Sequence, residues 1–412
     1  MLRWCLKGAY RLNKNIIHIA PTPFFSDRGC HIRIEGIARC LNELGYNNTV
    51  CTYHHGRNVT GVRTKRIKTI TNYTKTEAGP SKYKILADWR LLILAIKEYK
   101  RLKPSVIHTH LHEGLLIGLL VKWLFFWRRT PVIGDMQGSL SGELEAHGSF
   151  KKKPYLKWPV KTLEWCLMKL ANHIICSSQH SLDLIQSEFS VKENSISLAQ
   201  DGADIATPLS IERREKLQSQ WALPADKTIV VYSGALLASK GLDELKEIIK
   251  NSDPNNVHFL VIGYPKENIE PYLEKENLLD KCTLTGRIDF EQLSDYLSLA
   301  EIAIDPKNNN SGEGSGKMLN YLACGLVVLA FDTINNKEFL AEGSLPAEGS
   351  LSVSAEGSQL AKDVEQLTQQ LNKLAQNKSL RDKISSANLK RFEQNYSWQI
   401  CKDQLGALYS KL

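Results

Sequence analysis

The chain alternates short, continuous apolar runs with longer segments whose apolar residues recur every three or four positions. Continuous runs indicate strands buried on both faces, and the longer segments indicate amphipathic helices. This alternation predicts βαβ units and parallel sheets, and therefore an α/β protein. The predicted strands are residues 16–20, 48–53, 106–108, 131–134, 173–176 and 196–198 in the first half, and 229–233, 258–262, 282–285, 302–305 and 327–331 in the second.

A polar stretch at residues 207–214 interrupts the alternation, which then restarts. With 412 residues, the chain is long enough for two domains, predicted at 1–205 and 206–395. A break at Tyr396, Ser397 and Trp398 predicts a last helix over 396–412, with Ser397 as its N-cap. Two parallel sheets imply a cleft, and such sheets bind ligands beyond the carboxyl ends of their strands.

The net charge of +9 is unevenly distributed. Residues 1–205 hold 30 Lys and Arg against 16 Asp and Glu, a balance of +14, whereas the rest hold 23 against 28, a balance of −5. This division predicts that the N-terminal half meets something anionic, such as nucleic acid, a phosphorylated ligand or a membrane surface. The alternative is a solvated basic face.

Residues 115–127, LLIGLLVKWLFFW, are interrupted by Lys122 and are too short to span a bilayer. They predict a buried or interfacial helix. The basic N-terminus lacks the apolar core of a signal peptide, and the nine Cys show no zinc-ligand spacing, so we expect a cytoplasmic protein with reduced cysteines. The aromatic segment, Arg128 with Arg129, and the run 151–153 predict peripheral contact with the inner face of the cytoplasmic membrane.

Residues 311–326, SGEGSGKMLNYLACGL, form the strongest motif, just after the predicted strand that ends at Asp305. A Gly-rich turn that leads into a helix leaves backbone N–H groups unpaired at the positive end of the helix dipole, which favours phosphate. Lys317 adds a full charge. Glu313 would repel phosphate but suits the hydroxyl groups of a polyhydroxylated ligand. A tight turn with an incidental Lys is the alternative, because the spacing is not that of a P-loop.

The motif resembles the signature of the retaining glycosyltransferases of family 4, which have the GT-B fold of two Rossmann-like domains facing a central cleft. In that signature one Glu precedes the Gly-rich turn and a second Glu lies on the following helix. Glu313 matches the first, and Asn320 lies one residue short of the second. The resemblance implies that these residues contact a nucleotide-sugar donor: Glu313, Gly314, Ser315, Gly316, Lys317 and Asn320.

Other short segments match the family in the same order. Residues 17–33 resemble its first strand and Gly-containing loop, with Gly29 near the donor phosphate or the acceptor. Residues 231–241, VYSGALLASKG, resemble the segment that clamps the pyrophosphate. Gly234 and Lys240 are kept there, but Ala235 stands where an Arg is expected. Residues 283–289, TLTGRID, place Arg287 on the donor side, and the last helix would cross back to the N-terminal domain.

Three histidines, His108, His110 and His112, lie at and after the end of a predicted strand, where a ligand would be met. On such a turn the rings need not converge, so we predict no metal site and place His110 at the reaction centre; structural polar packing is the alternative. After the next strand, Gln137 stands where the family often has a His. A Gln orients a sugar hydroxyl but cannot exchange protons, so we expect no general base there.

The resemblance implies a metal-independent enzyme without a cofactor. It would move a sugar from a UDP- or GDP-linked donor to a hydroxyl of a glycan or lipid-linked acceptor, with retention and with the leaving phosphate as base. Lys240 and Lys317 would stabilise the departing diphosphate. A sugar-nucleotide epimerase on the same fold and a non-catalytic sugar-nucleotide-binding subunit remain as alternatives. Nucleic-acid binding is disfavoured, because no aromatic RNA-binding motif accompanies the basic residues.

Overall fold

A computed structural model of the chain describes residues 14–74, 82–146, 150, 153–308, 316–340 and 359–412. The described residues form two parallel sheets, each flanked by helices, which confirms the predicted α/β class and the GT-B arrangement. The predicted domain boundary at Ile205 falls between the last strand of the first sheet and the first helix of the second unit. Within the same residues, no helix combines the length and the hydropathy that crossing a membrane requires.

The first sheet has seven strands in the order β3-β2-β1-β4-β5-β6-β7. Its strands are β1 Asn15–Ala20, β2 Asn47–Thr52, β3 Thr64–Arg66, β4 Val106–His110, β5 Val132–Met136, β6 His173–Cys176 and β7 Ile196–Leu198. Its helices are α1 Gly29–Glu43, α2 Lys84–Leu102, α3 Leu111–Leu124, α4 Leu140–Ala146, α5 Lys157–Leu170 and α6 Gln179–Phe189. β1 pairs with β2 and β4, so Ile17 and Ile107 are neighbours in the middle of the sheet.

The second sheet has six strands in the order β10-β9-β8-β11-β12-β13. Its strands are β8 Thr228–Ala235, β9 Val257–Tyr264, β10 Cys282–Leu284, β11 Ile302–Asp305, β12 Val327–Phe331 and β13 Leu360–Ala361. The remaining helices are α7 Ile211–Gln220, α8 Leu242–Asn251, α9 Glu270–Lys275, α10 Leu293–Leu297, α11 Gly316–Ala323, α12 Ile334–Leu340, α13 Val364–Gln376, α14 Lys378–Asn395 and α15 Trp398–Tyr409.

The last helix, α15, crosses back and packs on α1 of the first unit. Cys401 and Leu405 of α15 share a buried cluster with Ile37 and Leu41 of α1. Trp398 begins the helix and lies against two glycines, Gly36 and Gly202, where an added Cβ would come within 3 Å of the indole. Ser397 occupies the N-cap position as predicted, but its side chain makes no capping hydrogen bond.

Some local bounds differ from the prediction. Within the polar stretch 207–214, α7 begins at Ile211, and Ser210 caps this helix by accepting a hydrogen bond from the Arg213 N–H. β4 extends two residues beyond the predicted end, to His110. The segment 341–358, which contains three AEGS tetrapeptides, lies outside the described residues.

Candidate functional site

The carboxyl ends of the two sets of strands meet at a cleft between the units. After β1 and after β10, Phe25 and Phe290 bring their ring centroids to 6.4 Å across this cleft. Further along, the Gln179 N–H at the start of α6 donates to Glu338 of α12 at 2.9 Å. A small pocket beside this second contact is lined by Ser177, Ser178, Gln200 and Asp201 from one unit and by Gly316, Leu319 and Phe339 from the other.

Lys317, in the first turn of α11, is held by groups at the ends of two central strands. Its Nζ lies 2.8 Å from Oδ1 of Asp305, the last residue of β11, and 4.7 Å from the ring centroid of Tyr232 in β8. The Asp305 side chain is 1% exposed and that of Lys317 is 15% exposed. The cation is therefore fixed beside the helix N-terminus, where an anionic ligand would be stabilised.

Lys240 belongs to a second segment that packs against the end of β11. It is half-buried and ends a 3₁₀ turn, and the following Gly241 has a φ of 83°. A Cβ on Gly241 would come within 2.1 Å of the Pro306 carbonyl oxygen, so only glycine permits this approach. The segments of Lys240 and Lys317 thus converge at the carboxyl ends of β8 and β11.

Two other donor-side predictions lie on the same unit. Gly234 is exposed near the end of β8 with a φ of 138°. Asn320 is half-buried and donates from Nδ2 to the Gly316 carbonyl oxygen of its own helix at 3.3 Å. Its neighbour Tyr321 ties α11 to β8, because its hydroxyl accepts from the Ser233 N–H at 2.8 Å.

Arg287 lies at the cleft but is already engaged by a carboxylate of the opposite unit. Its Nη2 donates to Asp27 Oδ2 at 2.9 Å, and Arg57 donates to Asp27 Oδ1 at 2.6 Å. Arg57 also forms two hydrogen bonds with Glu291, which closes an ion-pair network across the rim. Burial raises the pKa of Asp27, but the hydrogen bonds from Arg57 and Arg287 outweigh burial and leave the pKa below its usual range.

His110 does not line the cleft, because β4 continues through it and the ring is completely buried. Its Nδ1 lies 2.8 Å from Asp135 Oδ2, and its Nε2 lies 3.1 Å from His18 Nδ1. Asp135 also accepts from Arg33 Nε at 2.8 Å. The structure therefore gives His110 a place in a buried polar network behind the cleft, which matches the structural alternative and not direct contact with a ligand.

Two neighbouring histidines, His18 and His108, have lowered pKa values, mainly because they are buried. Burial, followed by the proximity of His110, lowers the pKa of His18 from 6.5 to about 3. Burial also lowers the pKa of His108 well below its usual value, and its Nδ1 lies 2.6 Å from the Tyr409 hydroxyl. Both rings are therefore neutral at physiological pH. Burial raises the pKa of Asp135, but Arg33 and His110 outweigh burial and lower it overall.

Among the described residues, His18, His108 and His110 form a cluster whose ring nitrogens lie within 4.8 Å of one another, as a metal site would require. However, both nitrogens of His18 and both of His110 already have hydrogen-bond partners, with Asn48 Oδ1 at 2.9 Å from His18 Nε2. A metal ion would have to break the bond between His18 and His110. We therefore assign this cluster to hydrogen bonding within the core.

Gln137 is the first residue after β5 and stands at the cleft side of the sheet. Its Nε2 is buried and has no hydrogen-bond partner in the part of the chain that the structure describes. The following loop is fixed by the buried Glu164 of α5, which accepts from the N–H groups of Leu140 and Ser141 and lies 3.1 Å from His112 Nε2. Among the site residues predicted in this unit, Gln137 therefore has a side-chain N–H group available to donate to a ligand.

The remaining predicted residues are Gly29, Gly316 and three residues of the Gly-rich turn. Gly29 is the first residue of α1, and a Cβ there would meet no atom within 4 Å, which leaves room for a ligand. Gly316 begins α11 and lines the cleft pocket. Glu313, Gly314 and Ser315 lie outside the described residues, so their assigned contacts stay predictions.

Several charged groups at and behind the cleft were not predicted from the sequence. Asp27 lies in the Gly-containing loop, where Gly29 is the residue that the family resemblance indicates, and Asp305 is the last residue of a predicted strand. Arg33 joins Asp135 to Asp201 and to the Ala199 carbonyl oxygen. Asp305, at the end of one predicted strand, and Asp135, directly after another, were the available signals, because ligands bind beyond the carboxyl ends of such strands.

Both halves of the chain match models of glycosyltransferase families. Residues 28–207 match the model described as Glycosyltransferase Family 4, and residues 213–391 match the one described as Glycosyl transferases group 1. A protein of the cps region of Klebsiella pneumoniae, described as an uncharacterized 41.2 kDa protein, is 22% identical over 293 residues, which are 71% of this chain and 74% of that protein.

Solved structures show the same fold over nearly the whole chain. HepE (Alr3699) of Anabaena, in complex with UDP, has a TM-score of 0.72 at 14% identity and covers 97% of this chain and 100% of its own. A sucrose-phosphate synthase of Thermosynechococcus elongatus has a TM-score of 0.75 at 17% identity, with coverages of 96% and 98%. WaaG, described as a glycosyltransferase of lipopolysaccharide biosynthesis, has a TM-score of 0.66 at 10% identity, with coverages of 94% and 98%.

Proposed function

The chain belongs to the glycosyltransferases of family 4 type with the GT-B fold, and from this membership we propose that it transfers a sugar from a UDP-linked donor to a hydroxyl group of a glycan or lipid-linked acceptor, with retention and without a metal ion. HepE structures with UDP, with UDP and glucose, and with UDP-glucose support UDP over GDP as the nucleotide. The resemblance to the retaining family supports retention.

The observation that carries the proposal is the pairing of Lys317 with Asp305 at the N-terminus of α11. The pairing holds a cation rigidly at the positive end of a helix dipole, and the Lys240 segment packs against the end of the same strand. These groups suit a diphosphate, whose negative charge grows as the sugar leaves. Because they are fixed in advance, they need little reorganisation during the reaction.

The transfer needs no covalent intermediate with the protein. The bond from the sugar C1 to the diphosphate oxygen breaks, and the electron pair stays on the diphosphate beside Lys240 and Lys317. The acceptor oxygen forms the new bond to C1 on the same face, and its proton passes to an oxygen of the departing diphosphate. Gln137, with its unused buried donor, would orient a sugar or acceptor hydroxyl. Glu313 would accept hydrogen bonds from the hydroxyls of the donor sugar.

Incubation with UDP-linked and GDP-linked sugars, with and without EDTA, tests this proposal. We expect a UDP-sugar to raise the melting temperature, since a ligand at 100 times its Kd adds about 2.7 kcal/mol of stability. With an acceptor, UDP should be released at a rate that EDTA does not change, and NMR of the product should show the anomeric configuration of the donor. Conversion of the donor to another nucleotide sugar without release of UDP would instead indicate an epimerase. Donor binding without any turnover would indicate a non-catalytic subunit.

A further inference from the structure

Three helices of the first unit form a layer with unusually exposed apolar side chains. Among the described residues, 22 large hydrophobic side chains are exposed, and 16 of them lie on α2, α3, α5 or the adjoining turns. They are Ile85, Leu86, Trp89, Ile93, Leu116, Leu120, Trp123, Leu124, Phe126, Trp127, Tyr155, Leu156, Trp158, Leu163, Trp165 and Leu170. We name this set the α2-α3-α5 surface. A monomer rarely exposes so many contiguous apolar groups without a partner.

The exposure follows from helical periodicity. On α2, Ile85, Trp89 and Ile93 recur every four residues and face outward, while Ala87, Leu91 and Ala95 face the sheet. On α3, Leu116, Leu120 and Leu124 form a second outward stripe. Because α3 packs between α2 and α5, the stripes lie side by side and form one continuous surface. The helix predicted at residues 115–127 as buried or interfacial corresponds largely to α3, which has one face in the core and one face exposed.

Aromatic side chains are prominent among the exposed members. Trp123 is 72% exposed, Phe126 is 70% exposed and Trp158 is 76% exposed. Of the eight Trp in the chain, five lie on this surface. Trp and Tyr combine an apolar ring with a polar edge, and for this reason they concentrate at membrane interfaces. Aromatic rings that serve only to pack the core would be buried, whereas these are exposed.

The charge of the layer has the sign that an anionic bilayer requires. Residues 82–170 contain 16 Lys and Arg against 7 Asp and Glu. Two of the seven acidic residues, Asp135 and Glu164, are fully buried, and Glu98 is buried beside Arg101. The exposed charge is therefore mostly positive, with Arg128 and Arg129 directly after the aromatic turn. Each basic residue near such a surface contributes attraction to anionic headgroups.

We propose that the α2-α3-α5 surface docks on an anionic lipid bilayer, with Trp123, Phe126, Trp127 and Trp158 entering the headgroup region and the surrounding Lys and Arg binding the headgroups. A second copy of this chain is a poorer occupant, because a symmetric contact through this surface would bring two positively charged layers together.

The docked orientation has a consequence that rests on the proposed function. Lys84, at the start of α2, pairs with Glu113, which is in the first turn of α3 at the carboxyl end of β4. The surface thus extends to the rim of the cleft beside Ile85. An acceptor sugar carried on a membrane lipid would reach the cleft from this side, so docking favours the lipid-linked acceptor over a free glycan.

Co-sedimentation with vesicles tests the proposal. One set consists of phosphatidylcholine alone, and in the other a third of the lipid is phosphatidylglycerol. We expect binding to the anionic set at low salt, weaker binding at high salt, and a blue shift of the tryptophan emission. Trp123→Ala with Trp127→Ala should lower partitioning by about tenfold or more, since each ring brings a large apolar area to the interface. Arg128→Glu with Arg129→Glu should lower it by about tenfold or more and weaken the preference for phosphatidylglycerol.

Matched controls come from the second unit. Ile211→Ala with Leu279→Ala removes two exposed apolar side chains, and Lys383→Glu with Lys390→Glu reverses two exposed charges on α14. Both should bind vesicles as the parent does. Absence of binding to anionic vesicles at low salt would overturn the proposal, as would equal binding by the Trp variant. A dimer seen by light scattering that the Trp variant loses, without vesicle binding, would assign the surface to self-association. UDP binding, measured on the same proteins, reports separately on the proposed function.

Discussion

Asp27 Oδ2 accepts a hydrogen bond from Arg287 Nη2 at 2.9 Å, across a cleft and across 260 positions of sequence. The loop after β1 thereby supplies a carboxylate to a guanidinium that the family resemblance assigns to the donor. Arg287 is 48% exposed and Asp27 is 9% exposed, so the pair lies at the rim, where a ligand could displace it. A nucleotide diphosphate that uses Arg287 must compete with Asp27.

Asp27→Asn should therefore tighten binding of UDP. The amide keeps the shape but not the charge, and it leaves Arg287 free for the diphosphate. Exposed pairs contribute roughly 0.2 to 1 kcal/mol, so the gain in affinity should be about 1.5- to 5-fold and should shrink at high salt. Glu291→Gln is the matched control, because Glu291 pairs with Arg57 and contacts the same rim. Calorimetric titration that shows equal or weaker UDP binding by Asp27→Asn would contradict competition.

Lys317→Ala should damage both stability and donor binding. It removes the Lys317 ammonium from the buried carboxylate of Asp305, and the loss of one partner of a buried pair typically costs about 3 to 5 kcal/mol. The two effects separate in the double variant Lys317→Ala with Asp305→Asn, whose melting temperature should recover most of the loss. Its affinity for UDP should stay lowered by about tenfold or more, since a hydrogen bond to a charged group contributes roughly 1.5 to 3 kcal/mol.

If the double variant bound UDP as the parent does, Lys317 would serve only to neutralise Asp305. Lys250→Ala provides the control for removing a Lys from the same unit, because Lys250 lies near the end of α8 and forms an exposed pair with Glu276. It should change neither the melting temperature nor the affinity for UDP measurably.

The strands of the core could be predicted because local sequence is sufficient for them. β11 and β12 are continuous apolar runs, and both have the predicted bounds. β3 could not be predicted, since its residues Thr64–Arg66 are polar and become a strand only by pairing with β2 at the sheet edge. Propensity carries little information for an edge strand of three residues.

The cleft was harder to predict, because its charges are arranged by tertiary contacts. The sequence of residues 108–114, HTHLHEG, does not reveal that His110 remains within β4, where it is hydrogen-bonded to Asp135 on the neighbouring strand β5. Nor does it reveal that His108 meets Tyr409, 301 residues later, on the returning helix. By contrast, the position of Lys317 followed from a local pattern of glycines before a helix. Its ion pair with Asp305 depends on the neighbouring loop and could not be inferred.

Stability should fall as the pH is lowered from about 6.5. Burial is the main cause that lowers the pKa of both His18 and His31 from 6.5 to about 3. Between these values the unfolded chain binds protons that the folded protein does not, so each ring removes up to about 1.4 kcal/mol of stability per pH unit. Unfolding by urea at pH 7.5, 6 and 5 (roughly the span over which the rings titrate in the unfolded chain) measures this slope.

His31→Gln provides the internal comparison for this slope. The variant should lose stability at neutral pH, because His31 Nδ1 accepts from the Ser26 N–H at 2.9 Å. It should nevertheless lose less on acidification than the parent, by up to about 1.4 kcal/mol per pH unit. Parallel curves for the two proteins would show that His31 already protonates in the folded state.

Gly36→Ala should loosen the returning helix α15. A Cβ at this position would lie 2.0 Å from Cη2 of Trp398, and the rigid indole cannot give way without moving the start of α15. Overpacking of this kind costs about 1 to 3 kcal/mol, and we expect it to weaken attachment of α15 to α1. Gly406→Ala is the matched control on the other side of the same interface, since its Cβ would meet Leu44 at an ordinary 3.4 Å. That change should be neutral or stabilise by about 0.5 to 1 kcal/mol through higher helix propensity.

Hydrogen exchange of the α15 amides, followed by mass spectrometry, distinguishes the two variants: protection should fall for Gly36→Ala and should be unchanged for Gly406→Ala. Unchanged protection in Gly36→Ala would mean that Trp398 is not the contact that fixes α15 on α1.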